Sequence, residues 1–178
     1  SQPWRAAGVM GGPLGATSAA SLLQGQPALG DWGWSDAIEA AREIAASSGV
    51  RLEATRTWIP EGTPKLRGAP LPTPVADPAQ TAPFHPGRCA TLFVRSGRGF
   101  KVVGTAGELH PSVIKEFGLP PHAAAFEVDL DTLQGLVPEK FVQVKPVSTF
   151  PPVKEDLAVI AADYVTDAEV ANVISRAA

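Results

Sequence analysis

The stretch from Phe84 to Pro111, FHPGRCATLFVRSGRGFKVVGTAGELHP, limits the possible folds more than any other part of the chain. Arg88 to Arg95 and Phe100 to Gly107 are rich in Val, Phe, Leu and Thr, which suit a pleated, half-buried surface. Between them Ser96-Gly97-Arg98-Gly99 supplies residues that tolerate positive φ, so the pattern predicts an antiparallel hairpin. Both strands are apolar on two faces, Leu92 and Val94 against Phe93 and Val102 against Val103. Such a hairpin belongs inside a sheet that helices cover on at least one side. The pairs His85-Pro86 (followed by Gly87) and His110-Pro111 bracket it. They read as structural corners, in which proline fixes the turn and the imidazole hydrogen-bonds backbone.

The rest of the chain supplies the expected cover. Trp4 to Met10 reads as a short strand. Gly11 to Gly33, with glycines at 11, 12, 15, 25 and 30, reads as a mobile loop or insertion. Ser35 or Asp36 is the expected cap of a helix whose face is Ile38, Ala41, Ile44 and Ala45 and which stops at Gly49. Val50 to Trp58 suits a strand with one wet face. The eight prolines between Pro60 and Pro86 rule out a helix or central strand there and predict a surface loop or flexible insertion. Pro111 opens a short helix with the stripe Val113, Ile114 and Phe117, ending at Gly118. Ala123 to Leu130 returns as a strand, and Asp156 to Ala162, apolar on both faces, predicts a buried one. Thr166 with Glu169 caps a last helix whose packing face is Val170, Val173, Ile174 and Ala177.

Chemistry is sparse. Cys89, the single cysteine, excludes an internal disulfide and fits a reducing compartment. Paired with His85 it would make a small Cys/His hydrolase, but nothing marks an oxyanion hole or a group to orient the histidine, and a buried core thiol is the ordinary reading. His85, His110 and His122 lack the spacing of a zinc site. Gly97-x-Gly99 lacks the third glycine and following helix of a phosphate loop. No catalytic, cofactor-binding or metal-ligating residue is therefore assigned. Arg88, Arg95, Arg98 and Lys101 concentrate on the hairpin, where they are candidates for contact with RNA or an acidic partner; a solvated sheet edge is the plainer alternative. A net charge of -3 argues against nucleic-acid binding by the whole surface. No apolar run approaches the roughly 20 residues that cross a bilayer, and no basic-then-apolar leader stands at Ser1, so a soluble cytoplasmic chain is expected.

HPGRCA, GELHPSVIKEFGL, FEVDLDTL and VSTFPPVKEDLAVIA occur in this order, behind WRAAGVM and DAIEAAREIAASSGV. Together they resemble the C-terminal part of the β subunit of bacterial phenylalanyl-tRNA synthetase, over most of the chain. The resemblance implies an α+β fold, a mainly antiparallel sheet flanked by helices. Residues 1–146 would be a class II synthetase-like core without catalysis, with insertions at about 11–33 and 60–84. Residues 147–178 would open a ferredoxin-like anticodon-binding domain, its strand-helix unit incomplete. The arginines of class II motifs 2 and 3 are not found, in keeping with lost catalysis. The implied role is support and subunit contact within a heterotetrameric ligase. There the α subunit attaches phenylalanine to tRNA(Phe) with ATP and magnesium, beside the remaining β-subunit domains, and this chain holds no cofactor. An autonomous RNA-binding or protein-interaction domain is the alternative.

Overall fold

The computed structural model describes residues 3–13, 31–63, 71–137, 156, 158–162 and 164–177. Five strands, β1 (Arg5–Met10), β2 (Glu53–Arg56), β3 (Phe84–Ser96), β4 (Gly99–Leu109) and β5 (Ala124–Asp129), form one antiparallel sheet in the order β1-β5-β4-β3-β2. The fold is α+β. Its centre is the predicted hairpin: Ser96 pairs with Gly99, and Gly97, at φ 59, takes the first turn position as the II′ family of hairpin turns requires. Glycine is also needed at 104, where a Cβ would lie 2.0 Å from the carbonyl oxygen of Glu127 on the neighbouring strand.

Helix α1 (Trp34–Ser47) lies across one face of the sheet. Its buried residues Ala37, Ile38, Ala41 and Ala45 recur at helical spacing, and three alanines let the helix axis approach the strands closely. They meet Leu92 and Val94 of β3, Val103 and Ala106 of β4, and Ala124, Phe126 and Val128 of β5. A bulge keeps this face continuous: Leu92 pairs with Gly104 and Phe93 with Val102, so Val103 is an extra residue, only 1% exposed. The helix ends in a Schellman arrangement, Gly49 donating to Ala46 O and Val50 to Ala45 O.

Helix α2 (Pro111–Phe117) and the short helix α3 (Leu130–Gln134) close two ends of the sheet. Val113, Ile114 and Leu119 pack on a second, smaller core of Phe84, Cys89, Leu109, Ala123 and Ala125. No helix is long and apolar enough to cross a membrane among the described residues.

Four expectations need correction. The cap of α1 is Gly33; Asp36 is its third residue, whose carboxylate accepts from the Gly33 N–H at 2.8 Å, so the helix starts two or three residues before the expected cap at Ser35 or Asp36, and Asp36 is the acidic half of the capping box. Strand β3 begins at Phe84 and runs through Pro86, where only loop was expected; the proline is tolerated because the strand bulges there. In the proline-rich run Asp77 caps a 3₁₀ turn, Pro78–Thr81, whose Thr81 is buried against β3. The run Asp156–Ala162 is not a buried strand: its described residues carry no strand and are exposed, Ile160 completely. Apolar pattern alone does not make a strand; a strand needs an edge to pair with, and the described residues of this run pair with neither edge of the sheet, β1 or β2. The last helix, α4 (Asp167–Ala177), forms as predicted, with Glu169 accepting from Thr166 N–H at 2.7 Å, yet Val173 and Ile174 stay exposed. The motif VSTFPPVKE (residues 147–155), residues 14–30 and the proposed boundary at Val147 lie outside the described residues.

Candidate functional site

The four basic residues of the hairpin do not form one patch. Eight residues of strand, about 25 Å, separate Arg88 from Ser96 at the turn. Arg88 turns to Glu108 on β4, reaching both carboxylate oxygens at 2.8 and 2.9 Å. Arg95 spans both oxygens of Glu53 on β2 at 3.0 and 3.1 Å and lies 5.6 Å from the Phe93 ring centre. Arg98 sits in the turn and Lys101, exposed, opposite Val94. Half of the predicted cationic cluster is thus already matched by carboxylates of this chain.

The opposite end of the hairpin is a corner in which all three histidines gather. The His85 Nδ1 accepts from the Gly87 N–H at 3.1 Å. His110 is the cap of α2: its Nδ1 accepts from the Ser112 N–H at 3.3 Å and lies 2.7 Å from Ser112 Oγ, with Pro111 in the first helical position. The two imidazoles stack with centres 6.5 Å apart. His122, at φ 60 in the turn before β5, contacts Glu108 at 3.1 Å. Burial would push the Glu108 carboxyl up, but hydrogen bonds and charge from Arg88 and His122 outweigh it and hold the group below its ordinary value. Sequence reasoning passed over Glu108, because an unbroken register counted from the turn puts Gly107 opposite Arg88 and only the bulges bring Glu108 there.

Cys89 is 6% exposed, and its thiol is pushed up by burial, against smaller opposing effects of Thr57 and Thr81. Its Sγ faces Pro86 O at 3.8 Å. No histidine contact with Cys89 exists among the described residues, so nothing there generates a thiolate. No group of three or more metal-ligating side chains gathers among the described residues either.

Alternation places Val9, Ala125, Glu127, Thr105, Val102, Phe93 and Thr91 on the sheet face away from α1, where Ala125, under α2, and Phe93 are buried and the rest is partly open among the described residues. Val9 is 65% and Val102 48% exposed. Arg5 with Glu127 and Arg95 with Glu53 put ion pairs at the rims of this face. Partial apolarity and a charged border are properties of a protein contact.

A family model described as "Phenylalanyl tRNA synthetase beta chain CLM domain" matches residues 1–130. The chain is 41% identical over 145 residues to the phenylalanine–tRNA ligase beta subunit of Bifidobacterium longum, covering 82% of this chain and 14% of that protein. It is 36% identical over 146 residues to the protein of the same name from Thermobifida fusca, covering 82% and 14%. The Streptomyces avermitilis protein of that name is 35% identical over 159 residues, covering 85% and 16%. The chain therefore spans about a seventh of the length of these relatives. The match takes in all five strands, α1 and α2, and on this ground the chain belongs to the family of the phenylalanyl-tRNA synthetase β-chain CLM domain.

Proposed function

We propose that the chain is a non-catalytic, subunit-contacting module of a phenylalanine–tRNA ligase β subunit, built as a class II synthetase-like core. It supports the α subunit, which attaches phenylalanine to tRNA(Phe) in the cytoplasm using ATP and magnesium. The observation that carries this reading is the sheet with one face under α1 and the other open at Val9 and Val102, in a chain whose relatives bear that subunit's name. Arg98 in the turn and Lys101 on β4 are the contacts left for an acidic partner, and the His85-Pro86-Gly87 and His110-Pro111 corners keep the hairpin ends in place. Residues 147–178 are the opening of a ferredoxin-like anticodon-binding unit, to which α4 contributes its helix; the match to the family model stops at residue 130, ahead of it.

The test places Val9→Glu and Val102→Glu together in a complete β subunit and measures co-purification of α, with circular dichroism to verify folding. Loss of α from a folded β is expected. Undiminished co-purification would move the contact elsewhere, and ATP–pyrophosphate exchange above background by this chain alone would overturn the non-catalytic reading.

A further inference from the structure

The His85–His110 corner carries chemistry that the subunit reading does not use. Phe84 pairs with Leu109 and Cys89 with Gly107, so four residues of β3, His85 to Arg88, bulge opposite the single residue Glu108. A bulge of that size takes backbone N–H groups out of the ladder, and each needs another acceptor. The Gly87 N–H finds the Nδ1 of His85, and the Ser112 N–H at the start of α2 finds the Nδ1 of His110. A nitrogen that accepts an N–H carries no proton, so these contacts call for an unprotonated Nδ1 in both rings; at His110 the hydroxyl of Ser112, 2.7 Å away, then donates to the same atom. The two rings stack at 6.5 Å with 27° between their planes, and the His110 N–H donates to Pro83 O at 2.9 Å, tying the two ends of the hairpin together.

We propose that these two imidazoles form a proton-operated latch: neutral, they hold the β3 bulge and the first turn of α2; protonated, they release both. Protonation turns each Nδ1 from acceptor into donor: at His85 it faces the Gly87 N–H donor to donor, at His110 it turns to Ser112 Oγ, 2.7 Å away, and leaves the Ser112 N–H without its acceptor, and the two charged rings stand 6.5 Å apart. Histidine is the side chain whose ordinary titration falls between about pH 5 and 8. The charged and titratable groups on the surrounding elements are Arg88 on β3, Glu108 on β4, Lys115 and Glu116 on α2, His122 before β5 and Asp77 ahead of the 3₁₀ turn. Glu108 is engaged by Arg88 and His122. His122 responds in the opposite sense, because an imidazolium donates to Glu108 more strongly than a neutral ring does.

The experiment follows ring-nitrogen shifts by ¹⁵N NMR and amide exchange, corrected for intrinsic rates, from about pH 7.5 to 5, the range in which histidine titrates. The control is the double variant His85→Asn/His110→Asn. An asparagine oxygen accepts from the N–H two residues on and caps helices, and it does not titrate. In the unaltered chain both Nδ1 atoms should be unprotonated at the upper pH. On acidification both should gain protons while exchange at Gly87 and Ser112 rises roughly five- to tenfold, the worth of one hydrogen bond. The Asn variant should stay flat, and His122→Gln should keep the response. A protonated Nδ1 at the upper pH, flat exchange at both amides, or a response at one amide only overturns the latch. So does an Asn variant that answers acid as the parent does, or loss of the response in His122→Gln. Should the double variant not fold, the ring shifts and amide rates of the unaltered chain decide alone.

Discussion

Glu108 is a carboxylate at a strand position that is 6% exposed, and the structure keeps it ionised with one guanidinium and one imidazole. Its folded-state pKa is below its unfolded value, so its contribution to stability is complete above the unfolded value and disappears as pH falls through the folded one. Glu108→Gln should cost on the order of 1–3 kcal/mol at neutral pH, since Arg88 loses a charged partner that is largely buried. Urea unfolding from neutral pH into the acid range, below the carboxylate values near pH 4, should show the two proteins converge. An undiminished gap at low pH would mean that the variant acts through packing. The sequence showed the hairpin and the His-Pro pairs that bracket it. It did not show that Arg88 and Glu108 meet, because the meeting depends on a four-residue bulge, and bulges leave no period in the pattern.

Among the elements, α1 was the most legible, because Ile38, Ala41 and Ala45 repeat at helical spacing and reach the core. Its first residue was not. Asp36 followed by Glu39 resembles a capping box, and a glycine cap with Asp36 reaching back leaves the same acidic signal one turn away. Similarly, α3 is five residues long, too short for a period; its sign was Asp129, whose carboxylate accepts from Thr132 N–H at 2.8 Å. The three alanines that let α1 sit close to the sheet lead to a prediction. Ala41 is 0% exposed, so Ala41→Leu must push the helix off β4 and β5 and should cost about 1–3 kcal/mol, visible as a lowered midpoint in thermal or urea unfolding. Ala40→Leu, at a half-buried neighbour, should cost less. Equal costs would show that the helix–sheet spacing is looser than the packing indicates.

At the scale of the whole molecule the question is what covers the surface the chain leaves open. Asp156–Ala162 illustrates why the sequence could not answer it. Val159 and Ile160 are apolar enough for a core, and their pattern predicts a buried strand, but burial needs an opposite surface and this run docks on none among the described residues; Val159 is 58% exposed. The same holds for Val173 on α4, for Phe117 at the end of α2, 70% exposed, and for Val9 and Val102 on the sheet. At about 25 cal/mol for each Å² of apolar area, roughly 300 Å² left wet on one face forgoes about 7 kcal/mol, a sum comparable to the stability of a small domain. The chain alone should therefore self-associate as concentration rises, and adding α together with the remaining β-subunit regions should replace that association with a discrete assembly. Light scattering coupled to size exclusion reads the first, and hydrogen exchange reads the second as slowed exchange along β1 and β4 and from residue 156 to residue 174. A monomer at all concentrations, with residues 156–174 already as protected as the β3–β4 hairpin, would show that the chain covers its own apolar surface and needs no partner to do so.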